Sequence, residues 1–198
     1  DDELFYNTGR AVEVIQRAWA SQDTNSMPRF KQWLTNAFLS TAAMNYPPAM
    51  AEFLLRPGTE QHEQMMRQIP ERLRLIWAEV LNAGGSMKMQ LLESTRNRTA
   101  PFFDCRILQM MLSQQQSRFN VEELIRDKKI VIINLAQEQI IDAQVASTIG
   151  GLFVNEILQK ARNLPPELVK PTILCLDEFQ NFIGKDLLAA IPEVRQRG

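Results

Sequence analysis

The sequence predicts an α/β protein, in which an all-α region, residues 1–100, precedes a partial parallel β-sheet with flanking helices, residues 101–198. Three observations lead to this prediction. Apolar residues of the first half recur at the three- and four-residue spacing of amphipathic helices. The second half contains two short apolar runs, and a long helical pattern lies between them. A strand–helix–strand order forms a right-handed crossover with two parallel strands.

The all-α region is predicted from four amphipathic stretches. Helical spacing of apolar residues covers 11–19 and 30–41, and the "NYPP" at 45–48 ends the second helix because proline lacks a backbone donor. A third helix is expected from Pro70 to about residue 81, since proline suits a first helical turn. Helix then resumes through residues 91–95.

In the second half of the chain, the spacing of apolar residues changes from helical periodicity to short continuous runs. "RILQM" at 106–110 is expected to be a short strand, and "KIVIINL" at 129–135 a stronger one because it is rich in β-branched residues. A helix is predicted from 142 to 162. The run "PTILCL" at 171–176 has the uninterrupted apolar character of a strand that is covered on both faces. A last helix is expected at about 187–194.

Composition sets the broad class. The chain has 198 residues, 45% of them hydrophobic and 23% charged, which is typical of a globular protein with one or two domains. Its net charge of -1 gives no overall electrostatic signature for binding nucleic acid or a membrane surface. Cys105 and Cys175 fit neither a metal knuckle nor a disulfide framework, so a reducing compartment is expected. No apolar run is long enough to span a bilayer, which predicts a chain that is neither secreted nor membrane-embedded.

An acidic pair, Asp177 and Glu178, directly follows the apolar run that ends at Leu176. Working groups gather at the carboxyl ends of parallel strands, and carboxylate oxygens are the ligands that Mg²⁺ prefers. The pattern predicts Asp177 as a metal-binding and cofactor-binding residue and Glu178 as a general base, because neighbouring residues leaving a strand point in different directions. The alternative is that the two residues form a polar turn after an apolar strand.

A phosphate-binding loop is missing from the 198 residues. The chain contains no G-x-x-x-x-G-K-[ST], and Gly84–Gly85 lacks the lysine that a phosphate cradle requires. A parallel sheet of two or three strands is also smaller than the usual four to six or so. We therefore expect no nucleotide to bind to this chain alone, and the sequence looks cut at both ends.

The order of motifs in residues 86–198 carries a resemblance to a known family. A helical region that includes "RTAPFFDC" precedes the "KKIVIINL" strand, a long helix with small residues follows, and then come "PTILCLDEF" and "IPEVRQRG". This order resembles the motor domain of the conjugative coupling ATPases of type IV secretion, the TraG/TraD-like branch of the FtsK/HerA superfamily of P-loop ATPases. Residues 1–100 look like the all-α insertion that the family carries between Walker A and Walker B.

The resemblance implies a function for particular residues. Asp177 and Glu178 match the Walker B pair, and Arg195 or Arg197 matches the arginine–glycine turn that follows it. The family forms hexameric rings that use ATP and Mg²⁺ to move DNA or protein substrates to a secretion channel. Its partners are relaxosome or channel components, at the cytoplasmic face of a bacterial inner membrane. This chain lacks Walker A, so it is expected to be inactive alone, either as a piece of a longer protein, which we favour, or as a degenerate copy.

Other residues leave alternatives open. Arg195 and Arg197 could act on a neighbour's γ-phosphate or could interact with a helix dipole. Arg96 and Arg98 form the one compact basic patch and could contact nucleic acid, although a solvated helix end explains them as well. His62 is predicted to be a solvated helix residue.

Two further expectations concern the methionines and the class of the protein. Three methionine pairs, at 65–66, 87–89 and 110–111, are expected mostly to fill the core. The alternative to a motor fragment is a non-catalytic helical recognition or scaffolding module, in which the acidic pair is structural.

Overall fold

The computed structural model describes residues 2–19, 28–116, 119–136, 142–165 and 171–179. The chain divides into two compact units, Asp1–Gln116 and Ser117–Gly198. The first unit is built from helices and short 3₁₀ turns: α1 (Asp2–Trp19), α2 (Pro28–Ala43), a 3₁₀ turn (Pro48–Met50), α3 (Ala51–Leu54), α4 (Glu60–Gln68), α5 (Glu71–Arg74), a 3₁₀ turn (Leu75–Trp77), α6 (Ala78–Leu81), α7 (Gly85–Asp104) and α8 (Arg106–Leu112). In the described part of the second unit lie α9 (Val121–Arg126) and α10 (Ala143–Asn163).

Helix α2 lies at the centre of the first unit and packs against α1, α3 and α7. The indole rings of Trp33 on α2 and Trp77 stack with their centroids 5.7 Å apart. The Trp77 Nε1–H donates to Ser40 Oγ at 2.8 Å, and Asn36 Nδ2 donates to the carbonyl of Ile76 at 2.9 Å. Two polar side chains of α2 therefore hold the distant Leu75–Trp77 turn against the core.

The predicted helices at 11–19, 30–41 and 91–95 are confirmed as parts of α1, α2 and α7. The single helix expected from Pro70 to residue 81 is wrong, because α5 and α6 are separated there by the Leu75–Trp77 turn. The bond from Asn36 to Ile76 explains the interruption: it occupies a carbonyl that would otherwise accept within the helix, while Trp77 turns into the core.

The strand predicted at 106–110 is also wrong, because these residues lie in α8. Arginine, leucine, glutamine and methionine all have high helix propensity, and only Leu108 of this helix is buried. A five-residue apolar run does not distinguish a short strand from a helix with one buried position.

The described residues contain no β-strand, so the predicted α/β fold with a partial parallel sheet is wrong. Residues 129–136 and 171–176 are irregular there and share no ladder hydrogen bonds. The side chains of Ile130, Ile132 and Ile173 are 94%, 87% and 89% exposed, and Cys175, expected to be buried, is exposed as well. β-Branched residues favour a strand only where a neighbouring strand supplies backbone partners, and no described residue does so here.

In the second unit, the helix predicted at 142–162 is confirmed as α10. Asp142 caps its start, since a carboxylate oxygen accepts from the backbone N–H of Val145 at 2.8 Å. A small apolar core forms around α9 and α10, and the Phe119 and Phe153 rings meet edge to face at 4.7 Å. Buried in this core are Val121, Ile125 and Leu164, with Phe119 and Ile157 packed against them.

Helix α9 ends in a Schellman motif that directs the chain into residues 129–136. Lys128 adopts the left-handed region with φ 53°, which is uncommon for a residue other than glycine. The backbone N–H of Lys129 donates to Leu124 O at 3.0 Å, and that of Lys128 donates to Ile125 O at 3.2 Å. The last carbonyls of α9 are thus satisfied before the exposed apolar run begins.

Replacing Ser40 should test the contact between α2 and the Leu75–Trp77 turn. In Ser40→Ala the buried Trp77 N–H loses its acceptor, so we expect the free energy of unfolding to fall by about 1–3 kcal/mol. All three tryptophans of the chain, Trp19, Trp33 and Trp77, belong to the first unit, so urea unfolding followed by tryptophan fluorescence reports on it. The matched control is Ser94→Ala at an exposed position of α7, where we expect no loss. Equal stability of the two variants would show that the bond contributes little.

Candidate functional site

The acidic pair lies in an exposed turn directly after the apolar residues 171–176. Asp177 and Glu178 both have exposed side chains. Glu178 has φ 50°, in the left-handed region, which costs roughly 1–2 kcal/mol for a residue with a Cβ atom. The chain therefore changes direction at the residue that the sequence predicts to be the general base.

Two neighbouring exposed carboxylates can bind a hard cation or accept a proton from water. In the part of the chain that the structure describes, no three His, Cys, Asp or Glu side chains come together to hold a metal ion. A magnesium ion bound to a nucleotide takes most of its ligands from phosphates and water, so one protein carboxylate is enough for such a site.

Of the four arginines predicted as site residues, the structure describes Arg96 and Arg98. Arg195 and Arg197 lie outside the described residues, as does the helix expected at 187–194. Arg96 and Arg98 are half-buried residues of α7, and the Arg96 guanidinium donates to Asn97 Oδ1 at 3.3 and 3.4 Å. Residues two apart on a helix do not face each other, so helical geometry separates Arg96 from Arg98. Contact of Arg96 and Arg98 with nucleic acid stays a prediction.

His62, which was expected to be solvated, is buried with 1% of its surface exposed. The reason lies in its place on α4, whose inward positions are His62, Met65, Met66 and then Ile69 just after the helix. This spacing of three, four and seven residues is the pattern of a buried helix face. The sequence contains this signal, because the spacing of Met65, Met66 and Ile69 from His62 places the histidine on the same helix face.

One nitrogen of the His62 imidazole has a hydrogen-bond partner among the described residues and the other has none. Nδ1 lies 3.3 Å from the carbonyl oxygen of Phe53, and since a carbonyl only accepts, Nδ1 carries the proton of the neutral ring. Nε2 is buried and has no hydrogen-bond partner among the described residues. Burial lowers the pKa of His62 below its usual 6.5, and the Phe53 carbonyl and Glu63 offset this only in part.

The methionines divide between core and surface. Met65 and Met66 are buried as expected. The prediction that most of the six paired methionines fill the core is wrong, because the other four are exposed: Met87, Met89, Met110 and Met111.

An ion-pair cluster that the sequence reasoning missed joins α3 to the end of α7. The Arg56 guanidinium contacts Glu52 Oε1 and lies 3.8 Å from Asp104 Oδ1. Burial raises the pKa of Glu52, and the charge of Arg56 opposes that rise. The four-residue spacing of Glu52 and Arg56 is the signal of such a pair, whereas the contact with Asp104 depends on the tertiary fold.

Comparison with protein families, curated proteins and solved structures gave no match to this chain. The resemblance to coupling ATPases therefore rests on the motifs of the sequence. Among the described residues, no helix combines the length and the apolar character needed to cross a membrane.

Replacing Arg56 should test whether its ion pair with Glu52 stabilises the fold. In Arg56→Met the carboxylate loses its cation, so we expect the free energy of unfolding at pH 7 to fall by about 0.5–1 kcal/mol. The raised pKa of Glu52 means that the folded state takes up a proton before the unfolded state does as pH falls. The difference in the free energy of unfolding between Arg56→Met and the unmodified chain should therefore become smaller towards pH 5. Urea unfolding followed by tryptophan fluorescence measures this difference.

The matched control for this test is Arg67→Met, which removes an exposed arginine of α4. We expect a smaller loss in that variant with no trend in pH. A loss in Arg56→Met that stays constant from pH 7 to pH 5 would mean that Arg56 acts through packing and not through the charge of Glu52.

Proposed function

We propose that this chain is part of a motor ATPase of the conjugative coupling type, in which Asp177 binds Mg²⁺ and Glu178 polarises the attacking water. The observation that carries the proposal is the exposed acidic pair with a left-handed backbone at Glu178, φ 50°. Strained backbone conformations of non-glycine residues cluster at functional sites. Lys128 has the same conformation at the end of α9, so the support comes from its combination at Glu178 with two adjacent exposed carboxylates after an apolar run.

The proposed chemistry divides the two carboxylates between metal and water. Asp177 holds Mg²⁺, directly or through water, while Glu178 positions the water that attacks the γ-phosphate of ATP. Residues outside this chain supply the phosphate cradle, because the chain has no G-x-x-x-x-G-K-[ST]. Arg195 or Arg197 supplies a cation to the γ-phosphate bound by a neighbouring subunit of a hexameric ring.

The wider proposal concerns the work that hydrolysis performs. The motor moves DNA or protein substrates to a secretion channel at the cytoplasmic face of a bacterial inner membrane, with relaxosome or channel components as partners. The side chains of Ile130, Ile132 and Ile173 are almost fully exposed and are therefore accessible to another protein surface in such an assembly.

A second candidate is a non-catalytic helical recognition or scaffolding module. The observation that favours it is the helical unit Asp1–Gln116, whose buried residues form a core of its own around α2. In that case the acidic pair is a polar turn. The complete gene distinguishes the two, since a motor requires a G-x-x-x-x-G-K-[ST] encoded before Asp1 and a helical module does not.

The test of the proposed function is Glu178→Gln in the protein encoded by the complete gene. Loss of a general base should lower the turnover number for ATP at least about 100-fold, while the affinity for ATP stays within a few-fold because the phosphate cradle is intact. Steady-state hydrolysis and equilibrium nucleotide binding measure the two effects.

Glu122→Gln, at an exposed position in the first turn of α9, makes the same chemical change away from the pair. We expect this control to keep the turnover of the unmodified protein. Turnover of Glu178→Gln within a few-fold of the unmodified protein would remove Glu178 from the mechanism.

A further inference from the structure

We propose that His62 makes the packing of α4 on α3 sensitive to pH, so that the helical unit Asp1–Gln116 loosens when the imidazole takes up a second proton. His62 is the single histidine of the chain and is 1% exposed. Its ring joins the two helices, and its second nitrogen has no acceptor in the described structure. This inference does not depend on the proposed ATPase function.

The contacts of His62 connect the start of α4 to the end of α3. Its Nδ1–H donates to the carbonyl of Phe53 on α3 at 3.3 Å. Thr59 caps α4: its Oγ1 accepts from the backbone N–H of His62 at 3.2 Å and donates to the carbonyl of Arg56 at 2.9 Å. The ring and the cap thus fix the same helix start against the same short segment.

A second proton changes this arrangement because it must go to Nε2. The protonated ring carries a positive charge and a new N–H donor at a buried position where no described residue accepts from Nε2. A buried charged donor without an acceptor is costly, and the cost is relieved when the ring reaches water. Because the ring is hydrogen-bonded to α3, movement of α4 away from α3 exposes it to water.

The charged groups around His62 do not offset the cost of burying the protonated ring. Glu63 on α4 favours the charged ring, whereas Lys88 on α7 disfavours it. From α3, the main-chain carbonyls of Phe53 and Leu54 face the ring, while Glu52 of that helix forms its ion pair with Arg56. Burial is the largest influence, and it lowers the pKa of His62 in the folded state.

The sign of the pH effect follows from this lowered pKa. Between the ordinary value of 6.5 and the lower folded value, the unfolded chain binds a proton that the folded chain does not. The contribution of His62 is therefore complete above pH 6.5 and is lost as pH falls towards the folded pKa. One proton changes the folding equilibrium constant by at most about tenfold per pH unit.

The acidic Glu52 cannot imitate this effect, because its pKa is raised by burial. A raised carboxyl pKa means that the folded state binds the additional proton, so acidification stabilises the fold. A loss of stability between pH 7 and pH 5.5 therefore has the sign expected for His62 and opposite to that expected for Glu52.

The test follows urea unfolding of the 198-residue chain by tryptophan fluorescence between pH 7.5 and pH 5.5. For the unmodified chain we expect the folding constant to fall several-fold across this range, and for His62→Gln we expect a nearly constant value, because glutamine can donate to Phe53 O but does not titrate. The control His62→Gln/Gln61→His places a histidine at an exposed position of α4 and should also lack the fall. The same slope in the chain with and without His62 would overturn the proposal.

A direct titration keeps the proposal testable if His62→Gln fails to fold. Because the chain has a single histidine, one set of imidazole signals is expected in the NMR spectrum of the unmodified chain. We expect the tautomer with the proton on Nδ1 and a pKa below 6.5. A pKa at or above 6.5, or a proton on Nε2 in the neutral ring, would overturn it.

Discussion

The contact between Trp77 and helix α2 is the interaction on which the helical unit depends. The Trp77 ring stacks on Trp33, and its N–H donates to Ser40, so one buried side chain is held through both its apolar face and its polar edge. Trp77 and Ser40 are 37 residues apart in sequence, and the hydrogen bond from Asn36 to Ile76 joins residues that are 40 apart. Helix α2 therefore orders both its neighbours and the interrupted segment from α5 to α6.

Local periodicity predicted the longer helices correctly, because the side chains that face the core recur at three and four residues within each helix. Local periodicity gave wrong predictions where the secondary structure depends on residues that are distant in sequence. The run at 129–135 has the composition of a strand, but a strand also requires a neighbour to pair with its backbone, and the described residues provide none. The break at Leu75–Trp77 likewise follows from a side chain of α2 that the local pattern does not contain.

The sequence identifies the two carboxylates of the candidate site but does not predict which groups surround them. Adjacent carboxylates after an apolar run are visible in the sequence, and the structure places Asp177 and Glu178 in an exposed turn. The left-handed backbone at Glu178 could not be predicted, because glutamate carries no local preference for it. In the proposed motor, the groups that face the pair would come from residues far away in sequence, including a phosphate cradle that these 198 residues do not encode.

Binding of Mn²⁺, a spectroscopic substitute for Mg²⁺, tests the proposed metal role of Asp177 most directly. The protein encoded by the complete gene is titrated with Mn²⁺ and a non-hydrolysable ATP analogue, and free Mn²⁺ is followed by electron paramagnetic resonance. We expect Asp177→Asn to weaken Mn²⁺ binding at least about tenfold, or about 1.4 kcal/mol, and Glu178→Gln to change it by less than about threefold. Equal Mn²⁺ affinity of Asp177→Asn and the unmodified protein would contradict the assignment of the acidic pair to a nucleotide-bound metal.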